Sequence, residues 1–299
     1  MQGLRKTMED AMDCELCFGG LEHHFMMVCD GHGGDFVALK VGEMMKKHIV
    51  DRKSIDYDGT ENERRHSYSD TLKQSFLEVD NRLLETDLIK ADEDFSGSTV
   101  NVAIITENEV YCANAGDTRC VISVGMKAFD LSTDHKPSLP SEKERIIAAG
   151  ARVARGRVNG LHGVARSLGD FSYKEAPLEP GDNSTAVGKI AAPENQVVTC
   201  MPEIVVYPRT ESDEFVLICC DGVWDVMTSQ DAVTFMHAKL AKSEAKDLEE
   251  ALEMLLDKCL ELGSKDNMTA VCIALPGFCR IYNYFRPPTA GCSAVCGLS

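Results

Sequence analysis

Two short segments of this chain put a carboxylate where a carboxylate is costly. Cys29-Asp30-Gly31-His32-Gly33-Gly34 and Cys220-Asp221-Gly222-Val223-Trp224-Asp225 each continue an apolar run, Phe25 to Cys29 and Phe215 to Cys220. A charge at the mouth of a buried strand needs a cation to meet it. The glycine that follows permits a tight turn and the close backbone approach of a ligand. One Asp-Gly pair reads equally well as a turn; two in the same setting point to a shared metal site. Glu9-Asp10, Asp117 and Asp266-Asn267 offer more carboxylates. A donor set made of oxygen alone favours magnesium, manganese or calcium over zinc or copper. Arg5 carries a planar fork suited to phosphate. His32 reads either as a turn residue among glycines or as an acid able to protonate a leaving group.

Other chemistries fit less well. Cys14 and Cys17 have C-x-x-C spacing, yet no second pair stands at zinc-site distance. Cys112 and Arg119 are one residue too far apart for the loop of a cysteine-based phosphatase. Asp56-Tyr57-Asp58-Gly59 hints at a calcium loop, but Arg65 stands where its closing glutamate belongs. The formal net charge of −17 repels polyanions, which argues against nucleic-acid binding and against a metal-dependent nuclease or phosphodiesterase. The 13 cysteines are odd in number and sit in apolar stretches, as reduced buried thiols do. No apolar run is long enough to cross a bilayer, and the first residues carry neither a secretory signal nor a myristoylation pattern. The expectation is a chain of the cytoplasm or nucleus that binds no membrane and works as a monomer.

Those residues need elements to hold them. Phe25 to Cys29 reads as a buried strand and Val37 to Val50 as a helix. Leu72, Phe76, Val79 and Leu83 form one apolar stripe of a second helix. Thr99 to Thr106, Glu109 to Ala113 and Arg119 to Val124 follow as strands, the first two joined by a hairpin at Glu107-Asn108. Ser141 and Glu144 predict a capping box for a short helix ending at Gly150. Phe215 to Cys220 and Ala270 to Leu275 are further strands. Thr228 and Asp231 open one helix, and Leu248, Leu252, Leu255, Cys259 and Leu262 stripe another. Strands in consecutive runs with helices between blocks suit antiparallel sheets covered by helices. Residues 150–193 form an irregular excursion, with Arg166 and Asp170 as a candidate ion pair beneath it. Trp224 is expected in the core, and 134–137 as a structural turn.

The same residues resemble a known family. Gln2-Gly3-Leu4-Arg5 with Met8-Glu9-Asp10, Cys29-Asp30-Gly31-His32-Gly33-Gly34, Ser96-Gly97-Ser98-Thr99, Asn114-Ala115-Gly116-Asp117-Thr118-Arg119, Asp134-His135-Lys136-Pro137, Arg166-Ser167-Leu168-Gly169-Asp170, Asp221-Gly222-Val223-Trp224-Asp225 and Asp266-Asn267 stand in the order of the motifs of the metal-dependent protein phosphatases of type 2C. The likeness covers positions 1–275 and implies an α+β fold, a β-sandwich of two antiparallel sheets flanked by antiparallel α-helices. It implies one catalytic domain over 1–275, with 150–193 as its flap, and a C-terminal tail over 276–299. By the family pattern, phosphoserine and phosphothreonine in proteins are hydrolysed by a hydroxide bridging two Mg2+ or Mn2+ ions, without a covalent intermediate. Asp30 would bridge the ions, Glu9 and the Gly31 carbonyl would serve one, and Asp221 and Asp266 the other. Asp10 would orient metal-bound water. Asp117 and Asp225, with Asp221, would hold a third and weaker ion. Arg5 would grip the phosphate of the protein substrate and His32 would act as general acid. A reading of another class is an inactive relative that serves as a binding module, which would be expected to have lost ligands. The family also carries a strand just upstream of its Gln-Gly motif, where this chain starts. The aromatic segment Phe278 to Phe285 is the candidate for an added strand on the sandwich, against the alternative of a frayed tail.

Overall fold

Apolar runs without polar alternation belong to strands covered on both faces. The computed structural model describes residues 1–18, 23–51, 59–91, 93–175, 190–242, 244–245, 247–282 and 295–298. One antiparallel sheet has the order β1 (Ala11–Glu15), β2 (His24–His32), β3 (Gly97–Ile105), β4 (Glu109–Ala115), β10 (Glu203–Pro208), with the short β9 (Leu168–Gly169) also paired to β3. The second runs β13 (Val295–Leu298), β12 (Ala270–Ala274), β11 (Asp213–Cys219), β5 (Arg119–Val124), β6 (Lys127–Asp130). A hairpin of β7 (Val153–Ala154) and β8 (Arg157–Val158) stands apart.

Successive side chains of a strand face opposite ways, and both ways lead into core here. Phe25, Met27 and Cys29 of β2 pack with α1 (Phe36–Asp51) and α2 (Glu61–Leu84). Met26 and Val28 meet Ile122, Val216, Ile218 and Val271 of the other sheet. The outer face of the second sheet is covered by α6 (Ser229–Ala241), α7 (Leu248–Glu261) and α8 (Pro276–Tyr282). The layers are therefore helix, sheet, sheet, helix, as expected. The other α-helices among the described residues are α3 (Asp87–Lys90), α4 (Pro140–Ala148) and α5 (Asp221–Trp224).

Local signals held where they were strongest. The stripe Leu72, Phe76, Val79, Leu83 is fully buried, and Thr228 with Asp231 makes a capping box on α6. Leu262 lies past the end of α7 and is exposed. The capping box expected at Ser141 does not form. Leu139 is the cap residue of α4 and Pro140 its first position, where proline's fixed φ starts the helix without a side-chain hydrogen bond.

The added strand is a correction. Phe278 begins no strand: Pro276–Tyr282 is α8, and residues 283–285 lie outside the described residues. Phe278 and Tyr282, four apart, share one helical face with ring centroids 4.9 Å apart. The Tyr282 hydroxyl also meets His237 Nδ1 at 2.6 Å. Strand-prone composition hid that spacing. The strand is supplied by Val295–Leu298, which pairs with β12 from Ala270↔Leu298 to Ile273↔Val295. The packed body thus continues past the expected tail boundary at 276.

The excursion is anchored from below. The Lys174 ammonium, fully buried, donates to both oxygens of Asp80 on α2 at 2.7 and 2.9 Å and to the Ser167 carbonyl at 3.1 Å. Val158, Ala165 and Val198 make a small core with Ile146 of α4. Arg166 does not pair with Asp170; it binds Glu142 at 2.5 Å and the Met201 carbonyl at 3.0 Å.

Candidate active site

The residues singled out by type and spacing converge at one end of the sandwich. Arg5, Glu9, Asp30, Gly31, His32, Asp117, Asp221 and Asp266 all line one cavity of about 350 Å³. Pairing places the end of β2: Asp30 opposes Thr99, Gly31 opposes Ser98 and His32 opposes Gly97. Asp221 opens α5 just beyond β11, and its backbone N–H donates to Asp30 Oδ2 at 3.4 Å. The glycines after both aspartates allow backbone segments to touch. A Cβ on Gly31 would stand 2.1 Å from the Glu9 carbonyl oxygen, and one on Gly222 2.0 Å from that of Asn267.

Asn267, passed over in the sequence except as a neighbour of Asp266, ties the N-terminal segment to this end. Its Nδ2 donates to the Gln2 and Thr7 carbonyls at 2.9 Å each, and its Oδ1 accepts from the Glu9 N–H at 2.9 Å. Met1 and Met268 exchange backbone hydrogen bonds of 2.7 and 2.8 Å. Arg5 and Glu9 are held at the cavity by these contacts.

The electrostatics call for a cation. Burial, then the charges of Asp221, Asp10 and Asp117, push the Asp30 carboxyl well above its ordinary range. Burial and Asp117 push Asp221 up to about 7, and burial pushes Asp10 up to about 6. Asp10 Oδ2 accepts from Thr269 at 2.7 Å, whereas its buried Oδ1 has no partner. Carboxylates so crowded that they resist ionisation, with an orphaned oxygen behind them, fit a hard divalent cation. Cys220 lies among them but does not compete as a ligand: burial holds its thiol protonated, and the sulfur accepts from the Thr269 N–H at 3.0 Å.

The carboxylates expected around a third ion, Asp117, Asp221 and Asp225, all act on the ammonium of Lys136. Lys136, read from the sequence as part of a structural turn, puts its ammonium 2.5 Å from Asp117 and 3.9 Å from Asp221. A cation thus already sits between two of those carboxylates. Asp225 is exposed and lines a neighbouring cleft with Arg119 and Trp224. The rest of that turn is structural, with Asp134 pairing Arg119 at 2.7 Å and His135 Nδ1 accepting from the Gly116 N–H. Trp224 is in the core, its Nε1 donating to the Cys219 carbonyl. Arg5 holds Asp266 at 2.5 Å.

His32 is backed by a group that sequence reasoning assigned elsewhere. Its Nε2 meets Asp170 Oδ2 at 2.8 Å, and His162 Nε2 lies 3.4 Å from the same oxygen. The pairing Gly97↔Gly169 brings Asp170 beside His32. Burial pulls the His32 imidazole toward neutrality, but the charge and hydrogen bond of Asp170 outweigh it and the net shift is upward. Burial would raise Asp170, and the two imidazoles outweigh it to hold that carboxyl far below its ordinary range. His162 went unremarked in the sequence because it lies in an irregular stretch with no period to mark its direction.

Comparisons with known proteins identify the family of the chain. The sequence model described as Protein phosphatase 2C matches residues 1–268. Protein phosphatase 2C homolog 2 of Hypocrea jecorina is 38% identical over 288 residues, spanning 91% of this chain and 60% of that protein. Protein phosphatase 2C homolog 3 of Schizosaccharomyces pombe is 38% identical over 287 residues, spanning 92% of this chain and 63% of that protein. The chain thus spans somewhat under two thirds of the length of these relatives. Among solved structures, serine-threonine phosphatase 2C from Toxoplasma gondii superposes with a TM-score of 0.73 at 21% identity, over 91% of this chain and 92% of that one. Matched over residues 1–268 and folded as the same sandwich, the chain belongs to the protein phosphatase 2C family.

Proposed function

We propose that this chain hydrolyses phosphoserine and phosphothreonine in proteins with the help of Mg2+ or Mn2+. What supports it most is the convergence of Glu9, Asp30, Asp221 and Asp266 in one cavity with His32 at its edge. Asp30 and Asp221 with Asp266, and Glu9 with the Gly31 carbonyl, would hold two ions, and Asp10 would orient water from behind. Bound there, divalent cations acidify a water and neutralise charge on phosphoryl oxygens. The chain's own residues do the rest. Arg5 orients the phosphate, and the His32 imidazolium gives its proton to the departing serine or threonine oxygen as the P–O bond breaks. Asp170 keeps His32 charged until that moment. A third ion would have to displace Lys136 from Asp117 and Asp221. An inactive binding module would be expected to lack a ligand, and none of this set is missing. Cysteines without disulfides among the described residues suit the reducing cytoplasm or nucleus, and a monomer needs no partner to complete the cavity.

A phosphothreonine peptide assay tests the reading. Activity is expected with Mn2+ or Mg2+, lost on chelation and restored by adding the ion back. Undiminished turnover after thorough chelation and dialysis overturns it.

A further inference from the structure

Two imidazole nitrogens and a carboxylate oxygen converge beside the oxygen-lined cavity, and they make a different kind of donor set. His32 Nε2, His162 Nε2 and an Asp170 oxygen all lie within 4.8 Å of one another. Both nitrogens approach the same oxygen, Oδ2, at 2.8 and 3.4 Å. Tetrahedral zinc with ligands at about 2.0–2.1 Å needs donors about 3.3 Å apart, so only small shifts separate this cluster from a zinc triad. His162 Nε2 is buried and, though within ion-pair reach of Asp170, is not aligned for a hydrogen bond and has no other partner. The rings are fixed from outside. His32 and His162 meet edge to face at 5.1 Å, and Tyr173 lies against His162 at 4.7 Å. Ser167 Oγ donates to Asp170 Oδ2 at 2.5 Å, leaving Oδ1 to reorient if that bond is kept. Both histidines line the cavity.

We propose that His32, His162 and Asp170 form a zinc site, separate from the carboxylates, whose occupation takes His32 out of proton transfer. The two sets sort metals by chemistry: imidazole nitrogen suits zinc, whereas the all-oxygen set suits magnesium or manganese. Zinc binding replaces the proton on His32, since a ligating imidazole must be neutral. The inhibitory consequence rests on the phosphatase reading above; the binding itself does not.

The test titrates the full chain with Zn2+ against a chromophoric chelator, with Mg2+ in large excess to occupy the carboxylates. One zinc per chain is expected, and His162→Leu should weaken it at least about tenfold. Co2+ in place of zinc should give the intense visible absorption of a tetrahedral site in the native chain and lose it in the variant. His162→Asn serves the same comparison if His162→Leu does not fold, with circular dichroism as the check. Zinc bound equally well without His162, or lost with Asp266→Ala instead, overturns the site. With zinc inhibition taken relative to each variant's own zinc-free rate, His162→Leu should need at least about tenfold more zinc for half-inhibition. A chain that binds zinc through His162 yet never turns over phosphopeptide keeps the site and sinks the phosphatase reading. Metal-dependent turnover with zinc binding indifferent to His162 does the reverse.

Discussion

His32 can donate a proton only while it is charged, and its burial works against that. Asp170 decides the contest in favour of the imidazolium. The acid is therefore present below the raised imidazole value and is lost as pH rises through it. Asp170→Asn removes the opposing charge, so the alkaline limb of kcat on a phosphothreonine peptide should move to lower pH by about one unit or more. A limb that stays in place in the variant means that another group sets it. Leaving-group chemistry gives a second handle. His32→Ala should slow an alkyl phosphate by about 10²-fold or more while sparing an aryl phosphate, whose leaving group hardly needs protonation. Equal losses on both substrates would remove His32 from the acid role.

Elements matter through their anchors. The excursion that carries His162 and Asp170 is tied to α2 by the pair Lys174–Asp80, with side chains 0% and 5% exposed. Asp80 also accepts from the Gly169 N–H at 2.9 Å, next to Asp170. Removing one partner strands a buried charge, so Asp80→Ala should cost about 3–5 kcal/mol in urea denaturation. The double change Asp80→Leu with Lys174→Met should recover part of that loss, because no buried charge is left unpaired, although the Gly169 N–H and the Ser167 carbonyl lose these partners. A single variant as stable as the native chain would show that the pair is not an anchor. On the other sheet, α8 is held by Phe278 beside Phe215 at 6.4 Å between ring centroids. Phe278→Ala should cost about 3–5 kcal/mol; a neutral result there would make α8 an appendage rather than part of the body.

For the whole molecule, the carboxylate end trades stability for a cation site. Asp10 and Asp221, raised to about 6 and about 7, and Asp30, raised well above its usual range, all exceed the ordinary 3.8. Between those limits the folded chain binds more protons than the unfolded one, so these groups lower stability as pH rises. Buried His24 and His135, pulled down to about 4, act the other way between about 4 and 6.5. Comparing melts with Mg2+ and with chelator at each pH removes the histidine contribution and leaves the carboxylates. The Tm gain from Mg2+ should grow steadily from about pH 5 to about pH 8, as a cation binds only the ionised cluster. A gain that is flat across that range would detach the ion from Asp10, Asp30 and Asp221.

The amino-acid order by itself determined the layers and most of the site. Continuous apolar runs such as Phe25 to Cys29, the stripe on α2 and the paired Asp-Gly steps are local patterns, and strands, helices and exposed turns follow from them whatever lies far away. Motif order then tied Glu9, Asp30, Asp221 and Asp266 to one family and one place. Tertiary structure alone decided which partners those groups have. Asp170 turned to His32 rather than Arg166 because β9 pairs with β3, and no local spacing records that pairing. Lys136 became a neighbour of Asp117 and Asp221, and Asn267 a clasp on the N-terminal segment, through contacts that span tens to hundreds of residues. At Phe278 local composition favoured a strand, but burial of Phe278 with Tyr282 on one face made a helix. Local pattern fixes which face a residue shows; only the folded chain fixes what it meets there, because long-range contacts carry the energy that overrides weak local preference.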